Sequence, residues 1–242
     1  MTDWPEIAAR LDRALGPTRA VGVFLDRGDD GAAPGGAGPQ ASCMHWSAVA
    51  NGRATLQTAP ADHDGCSVGS YVHGFRSLED TAAEADTLAL VAEGWMTPNA
   101  LSAIPTVPRR CAGLTYVPLA GARATPDIVL LTLQPAQLMP IQSALPGMTL
   151  TGKPQCQIIA IAARDRLPAA SLGCAVSRAR TGLSADMLAC ALPGELRSRR
   201  SSSTRRPTPA RPAWWHPARR RAQPDDRRRA ETGRLASRGG GI

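Results

Sequence analysis

The sequence predicts an α+β fold: a single domain with a mixed sheet and flanking short helices, followed by a disordered tail. Three observations lead there. Helix-period and strand-period segments are interleaved without the strict strand–helix–strand rhythm of a doubly wound sheet. Residues 1–196 have the length of one domain. From residue 197 onward neither period survives.

The elements follow in order. Asp3-Trp4-Pro5-Glu6 opens a helix, with Asp3 as cap and Glu6 completing a capping box. Trp4, Ile7, Ala8, Leu11 and Leu15 form its apolar stripe, and Gly16-Pro17 ends it. Ala20-Val21-Gly22-Val23-Phe24-Leu25 reads as a buried strand. Residues 27–41 form a Gly/Pro/Asp loop; it lacks the Lys-Ser/Thr of a phosphate loop and is read as plain flexibility. Ser42 caps a short helix that Asn51-Gly52 terminates, and residues 54–58 are a weak strand. Asp62-His63-Asp64-Gly65 is a turn leading into Cys66.

Ser77 caps one continuous helix through Ala82, Ala85, Leu88, Ala89 and Ala92, closed by Gly94. Residues 114–117 and 128–133 are strands. Pro135 starts a helix that Pro140 should shorten or kink. Residues 156–163 are an apolar helix, and residues 172–177 a strand or turn. Ser184-Ala185-Asp186 is expected to open a last helix through Leu188, Ala191 and Leu192. One pattern occurs twice, over 20–66 and 127–174: a strand, a Cys at a helix start, then a Gly-flanked Cys. Without residue-level identity it is read as coincidence.

Charge separates the two parts of the chain. The formal net charge is +8. Residues 197–242 hold fourteen Arg, no Lys and three acids, a net of +11, and residues 1–196 hold fourteen bases and seventeen acids, a net of −3. The tail's large apolar groups are little more than Trp214, Trp215 and Leu235, too few to offset chain entropy, so it is expected to be disordered. It reads as an arginine-rich arm, a linker, a solvated tail or, preferred for the abruptness of the change at Arg197, an out-of-frame translation of a GC-rich gene. No specific nucleic acid is expected as partner. Truncation after Leu196 should remove only salt-sensitive nucleic-acid affinity and leave the melting curve in place. If truncation unfolded the body, the tail would belong to the fold. No apolar run is long enough for a membrane span, and the N-terminus has no basic-then-apolar leader. The expected compartment is the cytoplasm, where six cysteines stay reduced.

Those cysteines carry the functional reading. Cys43, Cys66, Cys156 and Cys174 stand at turns or helix starts, where thiols serve metal, cluster or redox chemistry. Their spacing contains no Cys-x-x-Cys pair, so convergence has to come from the fold. Cys111 and Cys190 sit in apolar stretches and are read as core. Gly65, Ser67 and Gly69 flank Cys66 with small residues that let a ligand approach, and a helix start there would lower the thiol pKa. His45, His63 and His73 are the nearby groups that would join a metal or act as a base, and Arg178 would bind a carboxylate or phosphate. Walker, dinucleotide, His-Glu-x-x-His and Gly-x-Ser-x-Gly motifs are missing from the sequence.

The body also resembles the prokaryotic family called "domain of unknown function 169", over about residues 5–195. The matching stretches include Val21-Gly22-Val23-Phe24, Cys43 before Ala48, Cys66 with Gly69 and Gly74, and Val117-Pro118-Leu119. They continue with Pro126-Asp127-Ile128-Val129, Gln134-Pro135-Ala136-Gln137, Thr151-Gly152 before Cys156, Gly173-Cys174 with Arg178, and Pro193-Gly194. The resemblance implies a soluble single-domain protein and no assigned activity. It also implies one more ordered segment after Pro193-Gly194, where this chain has its arginine-rich tail.

Three functions remain open at this point. The first is a cysteine-lined site binding zinc or an iron–sulfur cluster on Cys43, Cys66, Cys156 and Cys174. The second is an accessory module without catalysis, which binds a small molecule or protein partner and whose pocket is formed by residues 66–74, residues 134–137 and Arg178. The third is a thiol redox protein with a Cys43–Cys66 disulfide. Whether the protein is an enzyme is not decided by the sequence.

Overall fold

A computed structural model of the chain describes residues 2–26, 35–108, 111–145 and 147–195. The chain divides into two units, Met1–Ser198 and Arg199–Ile242, and the expected tail lies outside the described residues. The first unit is α+β, as expected, with a mixed seven-stranded sheet among the described residues. Helix α1 (Trp4–Leu15) is capped by the Asp3 side chain, which accepts from the Glu6 amide at 3.0 Å; Glu6 itself pairs with Arg13 rather than closing a capping box. Strand β1 (Val21–Asp26) follows, then α2 (Ser42–Ala50) and β2 (Leu56–Thr58). Four short helices come next: α3 (Ser67–Val72), α4 (Leu78–Ala83), α5 (Ala85–Ala92) and α6 (Pro98–Ser102). After β3 (Gly113–Pro118) and β4 (Ile128–Leu133) come α7 (Pro135–Ala144), β5 (Thr149–Thr151) and α8 (Gln157–Asp165). The unit closes with β6 (Ala169–Ser171), α9 (Ala175–Thr181) and β7 (Leu188–Pro193).

The strand order is β2-β3-β1-β4-β7-β6-β5, and only β5 and β6 run parallel. Alternation along each central strand divides the core into two faces. On one face Ile128, Leu130, Ala189 and Ala191 meet Trp46 and Val49 of α2 and Ile158, Ile159 and Ala162 of α8. On the other, Val129, Leu131, Leu133, Leu188, Cys190 and Leu192 meet Trp4 and Ala8 of α1 and Ile141 of α7.

Several sequence expectations are corrected. The expected last helix is β7, buried throughout between β4 and β6. Its short apolar run fits either element, and pairing on both edges decides for the strand. Residues 172–177 are neither strand nor turn alone: Cys174 caps α9. The helix expected from Ser77 to Ala92 breaks at Glu84, whose backbone is extended (φ −71°, ψ 143°) and whose carboxylate pairs with Arg76. Pro140 does not end α7, which runs on to Ala144. Of the loop read as flexible, residues 35–40 are tied down. Gly38 and Ala59 amides donate to the Asp62 carboxylate at 2.9 and 2.8 Å, and the Gln40 amide donates to the Asp62 carbonyl at 2.8 Å.

The repeated strand–Cys–Cys pattern, read as coincidence, has a structural basis. Among the strands, β1-β2-β3 and β4-β6-β7 are arranged alike. In each trio the first strand pairs antiparallel with the last, and the last with the middle. Placing Val21 on Ile128, Pro118 on Pro193 and Leu56 on Ala169 reproduces the registers: Val21↔Pro118 becomes Ile128↔Pro193, and Leu56↔Tyr116 becomes Ala169↔Ala191. The halves meet at β1·β4, where Val21↔Leu130, Gly22↔Val129 and Val23↔Ile128 is the register a two-fold through the Gly22/Val129 pair requires. Helices obey the same relation: α2 packs on β1 and β3, and α8 on β4 and β7.

Candidate functional site

The two-fold brings the cysteines together. Helix α2 packs on α9 of the other half, and Val68 and Val72 of α3 share one apolar cluster with Cys156 and Ala160 of α8. Each of these helices carries a cysteine at its start. Cys43 is in the first turn of α2, Cys66 caps α3, Cys156 caps α8 and Cys174 caps α9. Cys43 and Cys156 are buried; Cys66 and Cys174 are half-buried.

The local chain fixes each thiol. Cys174 sits in a reciprocal cap with Ser177, whose hydroxyl accepts from the Cys174 amide at 3.0 Å and whose amide donates to Sγ at 3.4 Å. The Gly69 amide donates to the Cys66 sulfur. Gly65 permits the approach of the preceding loop, because a Cβ there would lie 2.5 Å from the Gln40 carbonyl carbon. Gly69 lies against the Ser42 hydroxyl and the Cys66 sulfur.

The thiols feel one another electrostatically. Burial pushes the Cys43 thiol up to about 12, with Cys174 and Cys66 adding to the rise. Burial likewise raises Cys66, against the Gly69 amide and with Asp86 and Cys174 in support. Burial raises Cys156 well above the usual thiol range, with Cys66, Cys174 and Cys43 contributing in that order. The expected lowering at Cys66 is therefore reversed: loss of solvent outweighs the helix-start amide. Arg180 is the cation that opposes the rise at Cys43 and Cys66, and its guanidinium donates to the Gly65 carbonyl. Among the described residues, no three His, Cys, Asp or Glu side chains stand in a metal-ligating arrangement. The four thiols are neighbours without being drawn in to ligating distance.

The other candidates sit as follows. The Ser67 amide and hydroxyl are bound to Asp86 at 3.1 and 2.5 Å. Arg178 donates to the Leu172, Leu183, Ser184 and Met187 carbonyls, binding α9 to the segment before β7. Residues 134–137 start α7, whose Ile141 and Leu138 belong to the α1 face of the sheet. Residues 66–74 lie with α2 and α8 on the other face, so the two proposed walls of one pocket are not brought together. Cys111 and Cys190 are core residues, 5% and 0% exposed.

The histidines form a buried edge-to-face cluster that residue spacing did not reveal. Ring centroids lie 4.9 Å apart for His45 and His63 and 5.4 Å for His63 and His73. Thr58 Oγ1 donates to the Leu114 carbonyl at 3.0 Å, so it accepts from His63 Nε2–H at 2.8 Å. His63 Nδ1 then accepts from the Ser42 hydroxyl at 2.8 Å, which is why Ser42 does not cap α2; the cap is Ala41. Both His63 nitrogens are thereby occupied. Burial and the neighbouring rings hold His63 down to about 2 and His73 to about 3, so neither is a base or a cation at neutral pH. The Tyr116 hydroxyl, on which Cys111 acts most and Cys156 and Cys43 less, is buried without a hydrogen-bond partner among the described residues, as are both polar atoms of the Gln155 amide, the residue before Cys156. Buried polar groups are rarely left so.

Cys66 and Cys174 also open onto a cleft of about 280 Å³, walled by Val68, Leu90, Trp95, Met96 and Ile104. Lys153 Nζ lies 4.8 Å from the Trp95 ring centroid at this cleft.

Comparison with known proteins adds the family. Residues 11–199 match the model of DUF169, described as "Uncharacterised ArCR". No curated protein and no solved structure matches the chain. No helix among the described residues is long and apolar enough to cross a membrane.

Proposed function

The chain belongs to the DUF169 family, whose description assigns no activity, and from its gathered thiols we propose that it holds a metal ion or iron–sulfur cluster on Cys43, Cys66, Cys156 and Cys174. The observation that carries this reading is the meeting of four cysteine-bearing helix starts from two related half-folds. Burial, with smaller contributions from the neighbouring thiols, penalises ionisation of Cys43, Cys66 and Cys156. A cation reverses that penalty, binding the thiolates and releasing their protons. Tyr116 and Gln155 support the reading: the Tyr116 hydroxyl, within electrostatic reach of Cys156 and Cys43 as well as Cys111, and the Gln155 Nε2–H, on the residue before Cys156, are unpartnered donors that thiolate or sulfide would satisfy. Gly65, Ser67 and Gly69 would form the close wall around Cys66. Residence in the reducing cytoplasm belongs to the same reading, since all six cysteines are free.

The test is metal analysis and a visible spectrum on the anaerobically purified full chain. About one zinc per chain is expected, or iron with sulfide and a broad visible absorption. The Cys66→Ser/Cys174→Ser double variant should lose it, and Cys190→Ser should keep it. A wild-type chain that stays metal-free after zinc addition and after anaerobic iron–sulfide reconstitution would sink the proposal. Occupancy untouched by the double variant would do the same. The redox alternative, a Cys43–Cys66 disulfide, is disfavoured by thiols whose pKa values are raised, since exchange proceeds through thiolate.

A further inference from the structure

The cleft above Cys66 and Cys174 has a chemistry of its own. At about 280 Å³ it has room for roughly nine water volumes of ~30 Å³ each, the size of a small organic molecule. Its walls are mainly apolar, with Leu90, Met96 and Ile104 beside the indole of Trp95. Trp95 is 46% exposed and lines the cleft, so its indole face is open to a ligand there. Among the described residues the one formal positive charge in the lining is Lys153, whose Nζ lies over that indole. Lys153 has no carboxylate partner among the described residues. Asp86, the acid that acts on Cys66, is already bound to the Ser67 amide and hydroxyl. An apolar slot with a single cation at an aromatic wall is complementary to a ligand with an apolar body and an anionic end.

We propose that this cleft binds a small amphipathic carboxylic acid, its apolar body against Trp95, Leu90, Met96 and Ile104 and its carboxylate on Lys153. The acid would lie over Cys66 and Cys174, but its binding rests on the cleft and not on a metal. The proposal therefore goes beyond the metal reading and fails or stands separately from it.

Octanoate is the probe, titrated by calorimetry into the full chain, with octan-1-ol and octylammonium as matched controls. Octanoate should bind, and the two controls should bind at least about tenfold more weakly, the factor set by one ion pair of ~1.4 kcal/mol. Lys153→Ala should weaken octanoate by about tenfold. Ala175→Trp, at an exposed lining position, should fill the cleft and abolish binding while leaving the melting curve unchanged. Cys66→Ser should lose metal and keep octanoate. Absence of octanoate binding to the wild-type chain overturns the proposal, as do equal binding of octan-1-ol and binding unaffected by Lys153→Ala and Ala175→Trp.

Discussion

Lowering the pH from 7 to 4 should destabilise the folded body by about 7 kcal/mol through two histidines, His63 and His73. Both are fully buried, and both are held neutral, at about 2 and about 3. In the unfolded chain each titrates near its ordinary value of about 6.5. The sign follows from proton counts. Below pH 6.5 the unfolded chain binds protons that the folded chain refuses, so stability is complete above 6.5 and is lost as pH falls toward the folded values. At pH 4 each histidine contributes about half of that loss. Domains of this size have roughly 5–15 kcal/mol in total, so the loss is enough to unfold many of them. Urea unfolding at pH 7, 6, 5 and 4 measures it. The informative variant is His73→Phe: neither ring nitrogen of His73 has a partner, so the change should cost little at pH 7. It should flatten the pH slope by about 1.4 kcal/mol per unit. An unchanged slope in His73→Phe, or a wild-type stability constant between pH 6.5 and 4.5, would refute the account.

The histidine cluster also marks the limit of what residue order reveals. Strands β1, β3 and β4 and helix α1 are legible because apolar period, caps and terminating glycines agree locally. Strand β7 is not, because six apolar residues with both strand edges paired look the same as one turn and a half of buried helix. At Glu84 the backbone is extended, the Glu84 carboxylate meets Arg76, which also reaches Asp64 at 3.2 Å, and Asp86 just beyond is bound to Ser67; these contacts between separate segments leave no mark on the local helical pattern. The candidate cysteines were legible as residue types. How they are placed was not, since it depends on α2 packing on α9 and on α3 sharing a cluster with α8, between half-folds that share strand register but little residue identity. His63 joins Ser42 to Thr58 through hydroxyls, and no spacing rule announces that chain.

Gly65→Ala tests how the site is assembled. Its Cβ would lie 2.5 Å from the Gln40 carbonyl carbon, 2.6 Å from its Cα and 2.8 Å from the Ala41 amide nitrogen. All three atoms are backbone, so no side chain can turn aside. The loop holding Ala41 has little freedom to move, because Gln40 is bonded to Asp62, and Asp62 also fixes Gly38 and Ala59. Relief therefore requires separating Cys66 from the start of α2, where Cys43 sits. Overpacking against fixed backbone should cost about 3 kcal/mol, which is about 6–12 °C in melting temperature for a domain of this size. Gly121→Ala is the control, since nothing lies within 4 Å of the added methyl group there, and it should melt close to wild type. If Cys43 and Cys66 share one ligand, Gly65→Ala should also lose metal at temperatures well below its own melting point, while Gly121→Ala retains it. A Gly65→Ala protein that melts and loads metal like the wild type would mean that the 38–41 loop yields freely, and that the closeness of Cys66 to α2 is not held by this contact.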